Sequence, residues 1–119
     1  VFRNVMVETE KFGFDQLKAA QADLGAKVRA ALKARDIRSV AAEGFGAPGV
    51  VVSYTDDPDV KTGAKFAKEG VQIAAGVPLM CDEPSDYSSF RLGLFGLDKL
   101  YDVDAAVARL ESALDKALA

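Results

Sequence analysis

The chain has no histidine and only one cysteine among its 119 residues. Without an imidazole, Ser-His and Cys-His nucleophilic pairs and histidine-ligated metal centres are excluded, which removes most hydrolase chemistries. Cys81, being alone, can form neither an internal disulfide nor a zinc knuckle. A reducing cytosol therefore suits the chain better than secretion, and a cytoplasmic location is expected. No apolar run approaches the roughly 20 residues that span a bilayer, and Val1-Phe2-Arg3-Asn4 does not read as a signal peptide. An excess of one charge is lacking as well. The 15 basic and 18 acidic residues are spread along the chain and leave a formal net charge of -3. That balance gives no electrostatic footprint for nucleic acid or for an anionic membrane, so neither is expected as a partner.

Half of the residues are apolar, enough for a chain of this size to fold as one unit and bury about two thirds of its surface. From Phe14 the apolar positions Leu17, Leu24, Val28, Ala31 and Leu32 recur at helical spacing, with Asp15 at the start and Lys33 and Arg35 at the end. This predicts a helix of about six turns, with Gly25 marking close packing on a sheet. Residues 1–13 read as a linker or as a backward extension of that helix. The start at Val1, in mid-pattern, suggests a processed product or a piece of something longer.

Further along, Ser39 to Ala42 and the β-branched run Val50 to Tyr54 predict two antiparallel strands joined by a turn-rich loop. The glycines of that loop do not make a phosphate loop, because a strand and not a helix N-terminus follows them. Asp57 and Pro58 are a strong helix start, Val60, Ala64 and Ala67 a small-residue face, and Gly70 a stop. Val71 to Ala74 predicts a short strand, Gly76 to Leu79 a break, and Asp82 to Asp86 a polar loop. Asp102 caps a last helix whose stripe of Val103, Val107, Leu110, Leu114 and Leu118 should lie on the sheet. The order helix, strand, strand, helix, strand, strand, helix predicts an α+β fold. Its expected form is a small, mostly antiparallel sheet of three to four strands with helices packed on one face, occupying 1–119 as a single domain.

One stretch carries a hint of chemistry. Alternation along Ser89 to Phe95 puts Phe90, Leu92 and Leu94 on one face and Arg91, Gly93 and Phe95 on the other. A guanidinium in mid-strand is costly to desolvate unless an acceptor meets it, and Gly93 leaves the floor beside it open. Arg91 thus asks for a partner: either an internal Asp or Glu, or the carboxylate of a ligand. The other candidates read as structural. Asp82, Glu83 and Asp86 match no calcium loop and read as a solvated turn, with no metal site expected. Cys81 reads as a small buried or half-buried residue, and none of the nine lysines sits in an apolar setting that would make a Schiff-base amine.

The runs Gly70-Val71-Gln72-Ile73-Ala74-Ala75-Gly76-Val77-Pro78-Leu79 and Phe90-Arg91-Leu92-Gly93-Leu94-Phe95-Gly96, followed by a capped terminal helix, resemble the C-terminal small domain of class V aminotransferases. These fold-type I enzymes use pyridoxal 5'-phosphate, and the serine or alanine to glyoxylate or pyruvate kind is the nearest in pattern. The resemblance implies that Arg91 binds the carboxylate of an amino or keto acid substrate through a bidentate pair. It further implies a homodimeric parent enzyme. The cofactor lysine and the phosphate-holding residues would belong to the larger domain, so no catalytic or cofactor-binding residue is assigned in this chain, and the chain alone should not transaminate. Two other readings stand beside it: a free-standing α+β carboxylate-binding or regulatory module, and a structural or oligomerisation domain with Arg91 in an internal ion pair.

Overall fold

Two five-residue strands, β1 (Val50–Tyr54) and β3 (Ser89–Gly93), pair antiparallel at the centre of a computed structural model that describes all 119 residues. The register sets Val51 opposite Leu92 and Ser53 opposite Phe90, and these four residues are at most 4% exposed. The alternate positions form the other, more open face, where Val52 lies opposite Arg91 and Val50 opposite Gly93. A short third strand, β2 (Ala74–Ala75), pairs antiparallel with the far edge of β3, giving the order β1-β3-β2. The fold is α+β with a three-stranded antiparallel sheet, as the alternation of elements predicts.

Six helices complete it: α1 (Phe2–Phe12), α2 (Phe14–Lys33), α3 (Pro58–Lys61), α4 (Ala64–Lys68), α5 (Leu97–Leu100) and α6 (Val103–Ala117). α2 buries Leu24, Val28, Ala31 and Leu32, and with Leu92, Phe90 and Leu114 these build one core on the closed face of the sheet. Phe66 of α4, with no exposed surface, fills its centre with its ring 5.9 Å from that of Phe90. Two ion-pair groups tie α2 to α6. Lys27 bridges Asp23 and Asp104, at 2.9 and 2.6 Å, and Arg35, just past α2, holds Asp115 at 2.6 Å and Glu111 at 3.4 Å. These hydrogen-bonded carboxylates raise the Lys27 pKa, Asp104 most, and Arg35 holds the Asp115 carboxyl below its usual range.

Several expectations are corrected by packing. Residues 2–12 form their own helix, broken from α2 at Gly13 by a backbone φ of 98°, and none of its residues is buried. Gly25 does mark a close approach, but to the loop before β1: a Cβ there would meet Pro48 Cα and O at 2.8 Å. The expected strand Ser39 to Ala42 shrinks to one bridge, Ser39 to Ser53, flanked by the bonds Val40 N–H to Val52 O and Tyr54 N–H to Arg38 O; beyond it the Ala42 carbonyl turns to accept from the Phe45 N–H. The helix after Asp57 splits at Gly63, in the left-handed region with φ 82°, and the buried anchor is Phe66; Ala64 and Ala67 are exposed. Its start is as read, with Asp57 accepting from the backbone N–H groups of Asp59 and Val60 and from Lys65. The strand expected at Val71 to Ala74 begins only at Ala74, since Val71 and Ile73 turn inward to the core. The short α5 is unexpected. α6, capped by Asp102 onto the Ala105 N–H at 2.9 Å, packs on α2, α4 and α5 instead of lying flat on the sheet, which leaves Leu118 39% exposed.

Candidate functional site

Arg91 occupies the middle position of the central strand, on the open face, as alternation predicts. Val52 lies directly opposite on β1 and Ala74 directly opposite on β2. Both neighbours are uncharged, and no carboxylate approaches within the 4.0 Å of an ion pair. The hydrogen bond that the side chain does make is from Nε to the backbone oxygen of Ala75, at 2.9 Å. The guanidinium is half-exposed, and its two terminal nitrogens carry no protein acceptor. Arg91 therefore forms no internal ion pair. Gly93, two positions on, has no atom within 4 Å of the point where a Cβ would stand.

The same face carries an aromatic cluster that the sequence did not signal. Tyr54 and Tyr87 meet edge to face with centroids 5.7 Å apart, and the Arg38 guanidinium stacks 4.2 Å from the Tyr54 ring centre. Ser89 is 1% exposed with an unpartnered hydroxyl, between Tyr87 and Arg91 on the strand. The anchor at Ala75 was equally invisible, because a backbone carbonyl leaves no trace in residue type.

Next to β2 lies the loop that leads to β3. Its Val77, Leu79 and Met80 are exposed, and so is Cys81, against the expectation that the cysteine is buried or half-buried. The cause is Glu83. Its carboxylate accepts from the N–H groups of Leu79, Met80 and Cys81 at 2.6, 3.0 and 2.9 Å and so curls the backbone outward. These donors, Cys81 first, hold the Glu83 pKa down at about 2. Asp82, Glu83 and Asp86 do not converge, and no group of three or more metal-ligating side chains is assembled in the chain.

A cleft of about 540 Å³ lies between α2, α5, α6 and residues 69–73, over Leu24, Leu92 and Leu110. Leu92 and Gly93, which follow Arg91 on β3, line it, but Arg91 itself does not.

No protein-family model matches the chain, and no curated protein matches it in sequence. Among solved structures, ureidoglycine-glyoxylate aminotransferase from Bacillus subtilis matches with a TM-score of 0.69 at 18% identity, over 98% of this chain and 30% of that one. The fold is that of part of an aminotransferase. At this identity the likeness is one of architecture, and this chain spans under a third of that enzyme's length. The aminotransferase fold agrees with the small-domain form expected from the Arg-x-Gly-Leu-x-Gly run.

The residues present do not form a pyridoxal phosphate site. Lys27, Lys65 and Lys116 are paired with carboxylates on the surface, and Lys99 donates to the Phe95 carbonyl at 2.8 Å beside Asp98. No lysine is buried, and the glycine-rich loop leads into β1 with no helix N-terminus to receive a phosphate. No helix is long and apolar enough to cross a membrane.

Proposed function

We propose that this chain acts as the small domain of a class V, pyridoxal-phosphate-dependent aminotransferase, with Arg91 binding the substrate carboxylate. The reaction is transfer of an amino group between a small amino acid and a 2-oxo acid of the glyoxylate or pyruvate type. The observation that carries the reading is a mid-strand guanidinium without any acidic partner, on the open face of a sheet whose fold is shared with part of an aminotransferase. Pyridoxal phosphate supplies the electron sink in such chemistry, and it would be held by a larger domain, since this chain offers no site for it.

What this chain's residues do is bind and orient. A carboxylate clamped by a planar fork loses its rotational freedom, and the bonds at its Cα are then fixed in direction. Lysine does this poorly because its charge is a point with no matching plane. The apolar, uncovered face of α1, where Phe2 is 79% and Met6 56% exposed, supports a neighbouring domain or a second subunit of a homodimer as the cover. A cytoplasmic location suits the same reading.

The test is kcat/KM for an amino acid and for a 2-oxo acid on the full-length natural chain, wild type against Arg91→Lys. A loss of about 2 to 4 kcal/mol, roughly 30- to 800-fold, is expected for both substrates alike. Unchanged kinetics would remove Arg91 from the site, and absence of transamination in the wild type would overturn the activity itself. Carboxylate binding without transamination would favour the carboxylate-binding module.

A further inference from the structure

The two residues of β2 have a role that their size conceals. Ala75 lies opposite Phe90, and the flanking Gly76 N–H bonds the Ser89 carbonyl at 2.8 Å. In an antiparallel ladder this alternation makes the Ala75 position the one whose own N–H and C=O point away from β3, toward the free edge of the sheet. Arg91 nonetheless reaches that carbonyl with Nε, at 2.9 Å. Its side chain must therefore cross the whole width of β2. The residue directly in its path, Ala74, is opposite Arg91 in the register, and its side chain is a single methyl group.

We propose that β2 is the positioning element of the Arg91 site: the Ala75 carbonyl holds Nε, the Ala74 methyl leaves the path open, and a carboxylate is taken end-on by the two terminal nitrogens alone. This rests on the carboxylate-binding reading of Arg91 and adds a direction to it. A guanidinium can grip a carboxylate through Nε and one terminal nitrogen, from the side, or through both terminal nitrogens, from the end. With Nε engaged, the side approach is closed. The ligand then lies on the line of the side chain beyond the β2 edge, and not over Gly93 on the sheet face. Positioning by a backbone carbonyl also explains why a two-residue strand suffices, since one oxygen at the right edge is all that is required.

The arginine guanidinium resonances of the full-length natural chain, followed by NMR with sodium pyruvate as probe and sodium chloride at equal ionic strength as control, test this. The expected result has three parts. The Arg91 Nε proton exchanges roughly fivefold more slowly than those of Arg3 and Arg109, which make no hydrogen bond in the fold. Pyruvate shifts the Arg91 terminal nitrogens while the Nε proton stays protected. Ala74→Leu abolishes that protection and weakens pyruvate binding by roughly fivefold, with an unchanged far-ultraviolet circular dichroism spectrum. Ala74→Gly, which keeps the path clear, should retain both the protection and the pyruvate affinity, and this separates a blocked path from a disturbed strand. An unprotected Nε proton that shifts with pyruvate would overturn the positioning role while leaving carboxylate binding intact. No response of any Arg91 nitrogen to pyruvate would overturn the carboxylate reading and this inference with it. The wild-type spectra decide between these outcomes whether or not the Ala74 variant folds.

Discussion

Replacing Gly76 by alanine should destabilise the fold through the strand edge that anchors Arg91. Gly76 is not in the left-handed region, so its backbone angles do not demand glycine; space does. A Cβ at this position would overlap both the hydroxyl and the carbonyl oxygen of Ser89, the same carbonyl that accepts the Gly76 N–H at 2.8 Å. The hydroxyl could rotate away, but the carbonyl belongs to β3 and cannot. Forcing an extra methyl into such a contact costs about 1 to 3 kcal/mol. Against this, removing glycine's freedom in the unfolded chain returns about 0.4 to 1 kcal/mol. The midpoints of these ranges give a net loss of about 1.3 kcal/mol, read as a fall of roughly 0.5 to 1 M in the urea midpoint. Gly93→Ala is the control. It lies on the open face of the same sheet with nothing within 4 Å of an added Cβ, so only the unfolded-state gain applies and stability should hold or rise. Ser89→Ala removes a buried hydroxyl that has no partner and should be close to neutral, but it should not rescue Gly76→Ala, because the carbonyl clash remains. Gly76→Ala as stable as the wild type would refute the reasoning.

Phe66→Ala should cost about 3 to 5 kcal/mol in chemical denaturation, since a ring with no exposed surface leaves a cavity against Phe90 that short helices on either side of Gly63 fill poorly; a loss below about 1 kcal/mol would contradict its place at the core centre. The Glu83 turn should depend on acid in a defined window. Its carboxyl is depressed from 4.5 to about 2 by backbone donors, so its contribution is complete above the unfolded value and is lost as pH falls from 4.5 toward about 2. An NMR titration should place the Glu83 midpoint near 2, with the amide shifts of Leu79, Met80 and Cys81 following it; a midpoint near 4.5 would mean that the turn is not held by that carboxylate.

Much of this architecture was legible in residue patterns, and what was not has a common cause. The faces of β1 and β3, the caps at Asp57 and Asp102 and the long helix from Phe14 follow from periodicity and local hydrogen bonding, which act within a few residues. The misreadings concern tertiary decisions. Ser39 to Ala42 has strand character, but at Ala42 the carbonyl accepts from the Phe45 N–H in a turn instead of continuing the ladder. Val71 and Ile73 alternate like a strand, yet the core claims them before the ladder does. Small size suggested that Ala64 and Ala67 face inward, whereas the large Phe66 was the residue that the core could use. Cys81 seemed suited to burial until Glu83, two residues on, turned its backbone outward. At the site itself, the position and orientation of Arg91 were readable from alternation. Its anchor on Ala75 was not, because that contact joins a side chain to a main-chain oxygen 16 residues away.

The proposed function rests on the Arg91 fork, which has no internal carboxylate partner, taking one from a ligand. A crystal structure of the full-length chain with a bound 2-oxo acid tests it most directly. Both carboxylate oxygens should lie about 2.7 to 2.9 Å from the two terminal nitrogens of Arg91, with Nε still on the Ala75 carbonyl. A ligand carboxylate seated elsewhere, or Arg91 turned onto an Asp or Glu of the protein, would contradict it.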